Sequence, residues 1–191
     1  MPAGVAHALV EAVKAVAPTD PNAALQVVAS VTEPFAKASA LVEIAEALAS
    51  TDPTEAVHIG VGVLNTAHTI RNSHILTRAM AAIAAADPDD ALRIAGAEIH
   101  ETRKASMVAA VAEFMASAEP PRAVRIAETI TDSYEKASAL ARIAHVVAVS
   151  DPAEASLIAE RAVQFATQPA QIHRVHSGEP SEGCLLTRSL A

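Results

Sequence analysis

The stretch Ala36-Lys37-Ala38-Ser39-Ala40-Leu41-Val42-Glu43-Ile44-Ala45-Glu46-Ala47-Leu48-Ala49 returns as Glu135-Lys136-Ala137-Ser138-Ala139-Leu140-Ala141-Arg142-Ile143-Ala144-His145-Val146-Val147-Ala148. A third copy opens at Lys104-Ala105-Ser106-Met107-Val108 and runs on to Val111, Ala112 and Met115. Apolar residues at Leu41, Ile44, Ala45 and Leu48 have the i, i+3, i+4, i+7 spacing of a helix with one buried face. The segment from His7 to Val16 fits the same register, and the one from His74 to Ile83 fits it more loosely.

Each copy ends in a stop-and-restart signal. Asp20-Pro21, Asp52-Pro53, Asp87-Pro88 and Asp151-Pro152 place a capping carboxylate before a Pro that is tolerated at the first helical position; Glu119-Pro120 departs from the pattern. The prolines recur at intervals of 32, 35, 32 and 32 residues, and self-similarity at such a period marks a stacked helical array. Each Pro opens a second helix with small residues one turn apart, such as Ala91, Ile94 and Ala95. Five pairs of helices follow, and an all-α, right-handed α-solenoid of about five helix-turn-helix repeats is expected over residues 1–167. From residue 168 to 191 the apolar stripe stops and Pro, Ser and Gly take over, which reads as a disordered tail. The longer interval puts three extra residues between Gly60 and Asn72, where a longer loop is expected, either a tolerated insertion or a hinge or contact site.

Composition agrees with helix stacked closely on helix. Alanine supplies about a quarter of the 191 residues while aromatics are 2%. A net charge of −8 argues against a phosphate-tracking surface, so no nucleic acid is expected as a partner. One cysteine, Cys184, fits a reducing compartment, and neither a leader nor a membrane-spanning run of about 18 apolar residues is read in the chain. A cytoplasmic location and no membrane partner are expected.

The spacing of Leu41, Ile44, Ala45 and Leu48, then Ala56 and Gly60, with Pro88 closing the unit, resembles the tetratricopeptide repeat. The resemblance covers nearly all the chain but is degenerate: Leu stands for the family's Trp and Tyr, Ala for its Gly, and the unit is two residues short. A HEAT-like stack is the close alternative. Similar Ala-rich, Asp-Pro-punctuated repeats occur in bacterial proteins, where the resemblance implies a scaffold or sensing array. It implies further that the first helix of each pair lines a concave face, with outward positions Val10 and Lys14, Val42 and Glu46, Thr77 and Ala81, Ala109 and Glu113, and Ala141 and His145. An alanine continues each set, at Ala17, Ala49, Ala84, Ala116 and Ala148. Such a groove suits an extended segment or amphipathic helix of another protein. Family members that clamp a terminal carboxylate use Lys, Asn and Arg on these helices, and only Lys14 is present here.

Candidates for chemistry are weak. His7 and His74 align with serines, His145 with Glu46 and Glu113, and His58 with Gln26, Arg93 and Arg125, all solvated positions. His173 and His176 make too few ligands for a metal, and Cys184 has no base near it in sequence. Phe35 and Tyr134 occupy equivalent places, read as plugs of the turn between paired helices. No catalytic residue, metal or cofactor is expected. The reading is a non-enzymatic protein-protein interaction scaffold or sensing module, with a small enzyme or ligand-binding protein using the concave face as the alternative. A homo-oligomer or a place in a longer multidomain protein would cover the apolar residues Leu157, Ile158 and Val163.

Overall fold

The computed structural model describes residues 3–167, and the tail expected over 168–191 lies outside them. The described residues form ten helices and no strand: α1 (Ala3–Val16), α2 (Pro21–Ala29), α3 (Pro34–Leu48), α4 (Pro53–Ile70), α5 (Ser73–Ala86), α6 (Pro88–Gly96), α7 (Glu101–Met115), α8 (Pro120–Glu128), α9 (Ser133–Val147) and α10 (Pro152–Thr167).

Helix starts fall where the capping chemistry puts them. Asp20 accepts from Ala23 N at 2.9 Å, Asp52 from Glu55 N at 3.1 Å, Asp87 from Asp89 N at 2.9 Å and Asp151 from Glu154 N at 2.9 Å. Three of the odd-numbered helices carry caps of their own, from Glu33, Asn72 and Asp132. Glu119 makes no such bond, since its side chain reaches outward to Arg122.

The helices stack in line. Each odd helix packs on the next odd one, α1 on α3, α3 on α5, α5 on α7 and α7 on α9. Each even helix lies against the odd helix before it and, from α2 to α8, against the odd helix after it; α10 has only α9. The result is an all-α solenoid of five helical hairpins. Its core is a long seam from Val13 to Ala162 with a small separate cluster of Ala6, Val31 and Ala36 near α1, and every buried residue described is apolar. Neighbouring even helices are also tied by ion pairs, Asp89 to Arg122 at 2.5 Å and Glu128 to Arg161 at 2.7 Å.

Alanine is what lets the odd row close up. Ala17, Ala49, Ala84 and Ala116 share one repeat position and are all buried. These were expected to face a groove. They are enclosed within the stack instead, where a larger side chain would displace packed neighbours.

Two further expectations are corrected. The extra residues around Gly60 to Asn72 do not form a longer loop: α4 runs for 18 residues, against nine in α2, α6 and α8, and only Arg71 and Asn72 join it to α5. Phe35 and Tyr134 do not plug turns; both are exposed, Tyr134 at 76%. Each sits in the first turn of its helix, where the chain has not yet met its neighbour.

Candidate functional site

The ten groove residues expected on the first helices separate into two columns. Lys14, Glu46 and His145 are exposed, with Ala81 and Glu113 half-buried, and this column lies on the face the odd helices turn to solvent. The other column points along the array. Val42 is 1% exposed and Ala109 is 0%, so neither can touch a partner; Val10 and Thr77 are half-buried, and Ala141, on the last odd helix of the described residues, is exposed.

The exposed column meets side chains on the next odd helix that the repeat pattern did not single out. Arg78 Nη2 donates to Glu46 Oε2 at 2.7 Å and to Glu43 Oε1 at 2.9 Å. Burial disfavours the charge on Arg78, but the hydrogen bonds and charge of Glu46, then of Glu43, outweigh it, and its pKa is raised above the ordinary guanidinium value. One repeat pair further on, Arg142 Nε stands 3.2 Å from Glu113 Oε2, close enough for an ion pair yet not aligned for a hydrogen bond. Arg78 and Arg142 occupy one repeat position, and that equivalence was the signal available in the sequence.

The regular stack is interrupted where α4 overruns. α4 passes through Gly60 because α5 lies so close there: a Cβ would sit 2.5 Å from Ile83 Cγ1. It stops at Arg71, whose φ of 52° is left-handed, and Asn72 then caps α5 by accepting from Ile75 N at 2.9 Å. α6 stops after nine residues, and the chain crosses through residues 97–100 to α7.

A long helix beside a short one leaves a cleft between the end of α4, the start of α5 and the start of α7. Its larger hollow is about 570 Å³, floored by Ala67 and Leu76 and walled by Arg71, His100, Arg103 and Ser106. A second hollow of about 340 Å³ shares Leu76, His100 and Arg103 and adds Leu64, Ile99 and Met107. None of the described residues lining the larger hollow is acidic, although the chain carries a net charge of −8. Arg103 is held by Glu98 at 3.1 Å, on the side of the smaller hollow. An apolar floor beneath guanidinium groups suits an apolar side chain flanked by a carboxylate.

The histidines His7, His58, His74, His100 and His145 are all exposed. Among the described residues no three His, Cys, Asp or Glu side chains gather where a metal would be held, and no helix is long and apolar enough to cross a membrane. His173, His176 and Cys184 lie outside the described residues. No protein-family model, curated protein or solved structure matches the chain.

Proposed function

We propose that this chain is a non-enzymatic interaction module, tetratricopeptide-like in its helix order, which takes an acidic, apolar-anchored segment of another protein into the cleft between α4, α5 and α7. The observation that carries the reading is the overrun of α4: it breaks the repeat and sets Arg71 beside the apolar floor of Leu76 and Ala67, across from the Glu98-paired Arg103 of α7. A volume of about 570 Å³ accommodates two or three side chains rather than a folded surface. The contiguous odd row and the even helices that bridge it support the tetratricopeptide-like assignment. In this reading the protein works in the cytoplasm with a protein partner and without cofactor, nucleic acid or membrane.

Selection of displayed random peptides on the purified chain tests it. Enriched peptides should combine Asp or Glu with a bulky apolar residue. A charge-assisted hydrogen bond is worth roughly 1.5–3 kcal/mol, so Arg71→Glu should lower their affinity by about tenfold or more, and Ser106→Trp should block them by filling the hollow. No enrichment, or equal binding to both variants with melting unchanged, counts against the proposal.

A further inference from the structure

The two ends of the array uncover what every internal hairpin hides. At the α9 end, Ala141 and Ala148 are exposed, while their equivalents Ala109 on α7 and Ala116 just past it are fully buried. Ala159 on α10 is exposed where Ala95 and Ala127 on α6 and α8 are buried. Val163, 60% exposed, adds a large apolar side chain beside Ala159 on α10. At the other end, Ala8 and Ala12 on α1 are exposed, whereas their equivalents Ala40 and Ile44 on α3 are buried, and Val5 beside them is 46% exposed. One end is shaped like the leading side of an internal seam and the other like its trailing side.

Charge follows the same register. Internal seams pair one column of an odd helix with a second column on the next, as Glu46 with Arg78 and Glu113 with Arg142. The first column ends at His145 on α9, and the second begins at Glu11 on α1, by the 32-residue spacing that relates Glu11 to Glu43. An α1 seated on α9 and α10 as one more odd helix therefore sets Glu11 opposite His145, a carboxylate acceptor facing an imidazole that can donate to it.

We infer that copies of this chain join head to tail, with α1 of one copy seated on the α9 and α10 face of another and the second copy's Glu11 facing His145. The contact is heterologous, so each copy keeps one free end, and growth continues until a ring closes or a filament forms.

Sedimentation of the full chain across a concentration series tests this, using two blocked variants. Ala12→Glu carries a charge on the α1 face and Ala148→Glu one on the α9 face; both sites are exposed, and the melting curves of both variants should match the parent's. The parent's average mass should climb past twice the monomer mass. Each variant alone should drop to a half-blocked state that remains monomeric, and because each retains the face the other lacks, neither can be rescued by itself. Mixed in equal amounts, the variants still share one intact pairing between them, Ala148→Glu supplying α1 and Ala12→Glu supplying α9 and α10, and should form a dimer that grows no further. His145→Glu should weaken parental association, and adding Glu11→Arg should restore it. A parent that stays monomeric, a parent that stops at a dimer, or a mixture that stays monomeric would each overturn the inference.

Discussion

Gly60 of α4 packs directly on Ile83 of α5, with a Cβ on Gly60 falling 2.5 Å from Ile83 Cγ1 and 3.0 Å from its Cδ1. Ile83 is fully buried and has no room to retreat. Gly60→Ala should therefore destabilise the chain by roughly 1–3 kcal/mol through overpacking, even though Ala favours a helix by about 1 kcal/mol. Gly62 is two residues away with open space around it, and Gly62→Ala should stabilise by up to about 1 kcal/mol. Urea unfolding of the two variants reads opposite signs.

Arg71 holds a left-handed φ of 52° at the end of α4, a place where glycine is the favoured residue. A left-handed non-glycine residue costs roughly 1–2 kcal/mol, of which the extra freedom of glycine in the unfolded chain returns about half. Arg71→Gly should raise stability by about 0.5–1 kcal/mol while lowering the affinity of the cleft for acidic peptides. Thermal melting and peptide titration on the same variant separate the two effects.

Arg78 ties α5 to α3 through both Glu46 and Glu43. The pair with Glu46 is partly solvated, so a double-mutant cycle of Arg78→Gln and Glu46→Gln should give a coupling of about 0.5–1 kcal/mol at low salt. Raising the salt to about 1 M, where the screening length is about 3 Å, should shrink it.

Glu119 begins α8 without a capping bond, whereas Asp20, Asp52, Asp87 and Asp151 cap their proline-led helices. Its backbone, at φ −134° and ψ 66°, is close to that of Asp20 at φ −144° and ψ 83°. Glu119→Asp should bring a carboxylate within reach of the first-turn N–H groups and add about 0.5–1 kcal/mol, which for a chain of this size moves Tm by roughly 1–4 °C.

The helical hairpins and their starts were legible because Asp-Pro and the i, i+3, i+4, i+7 stripe are local signals that stacking reinforces. What was not legible depended on neighbours. Gly60 and Gly62 read alike as weak points in a helix, and only the position of Ile83 separates a packing requirement from a tolerated glycine. Val42 and Ala109 fit a solvent-facing column as well as a seam, since Val and Ala are at home in both; the closeness of the odd helices puts them inside. The cleft arises from the unequal lengths of α4 and α6, and its charge from Arg71, which falls outside the repeated positions.

The column Lys14, Glu46, Ala81, Glu113 and His145 offers the most direct measurement of the linear stack. With Cys184 replaced and spin labels placed pairwise, distances from position 14 to 46, 81, 113 and 145 should increase at every step, by roughly 8–10 Å per odd helix less whatever the array curves. A distance from 14 to 145 no longer than that from 14 to 81 would mean that the helices close around a single core, and it would contradict the solenoid on which the cleft and the end-to-end contact both rest.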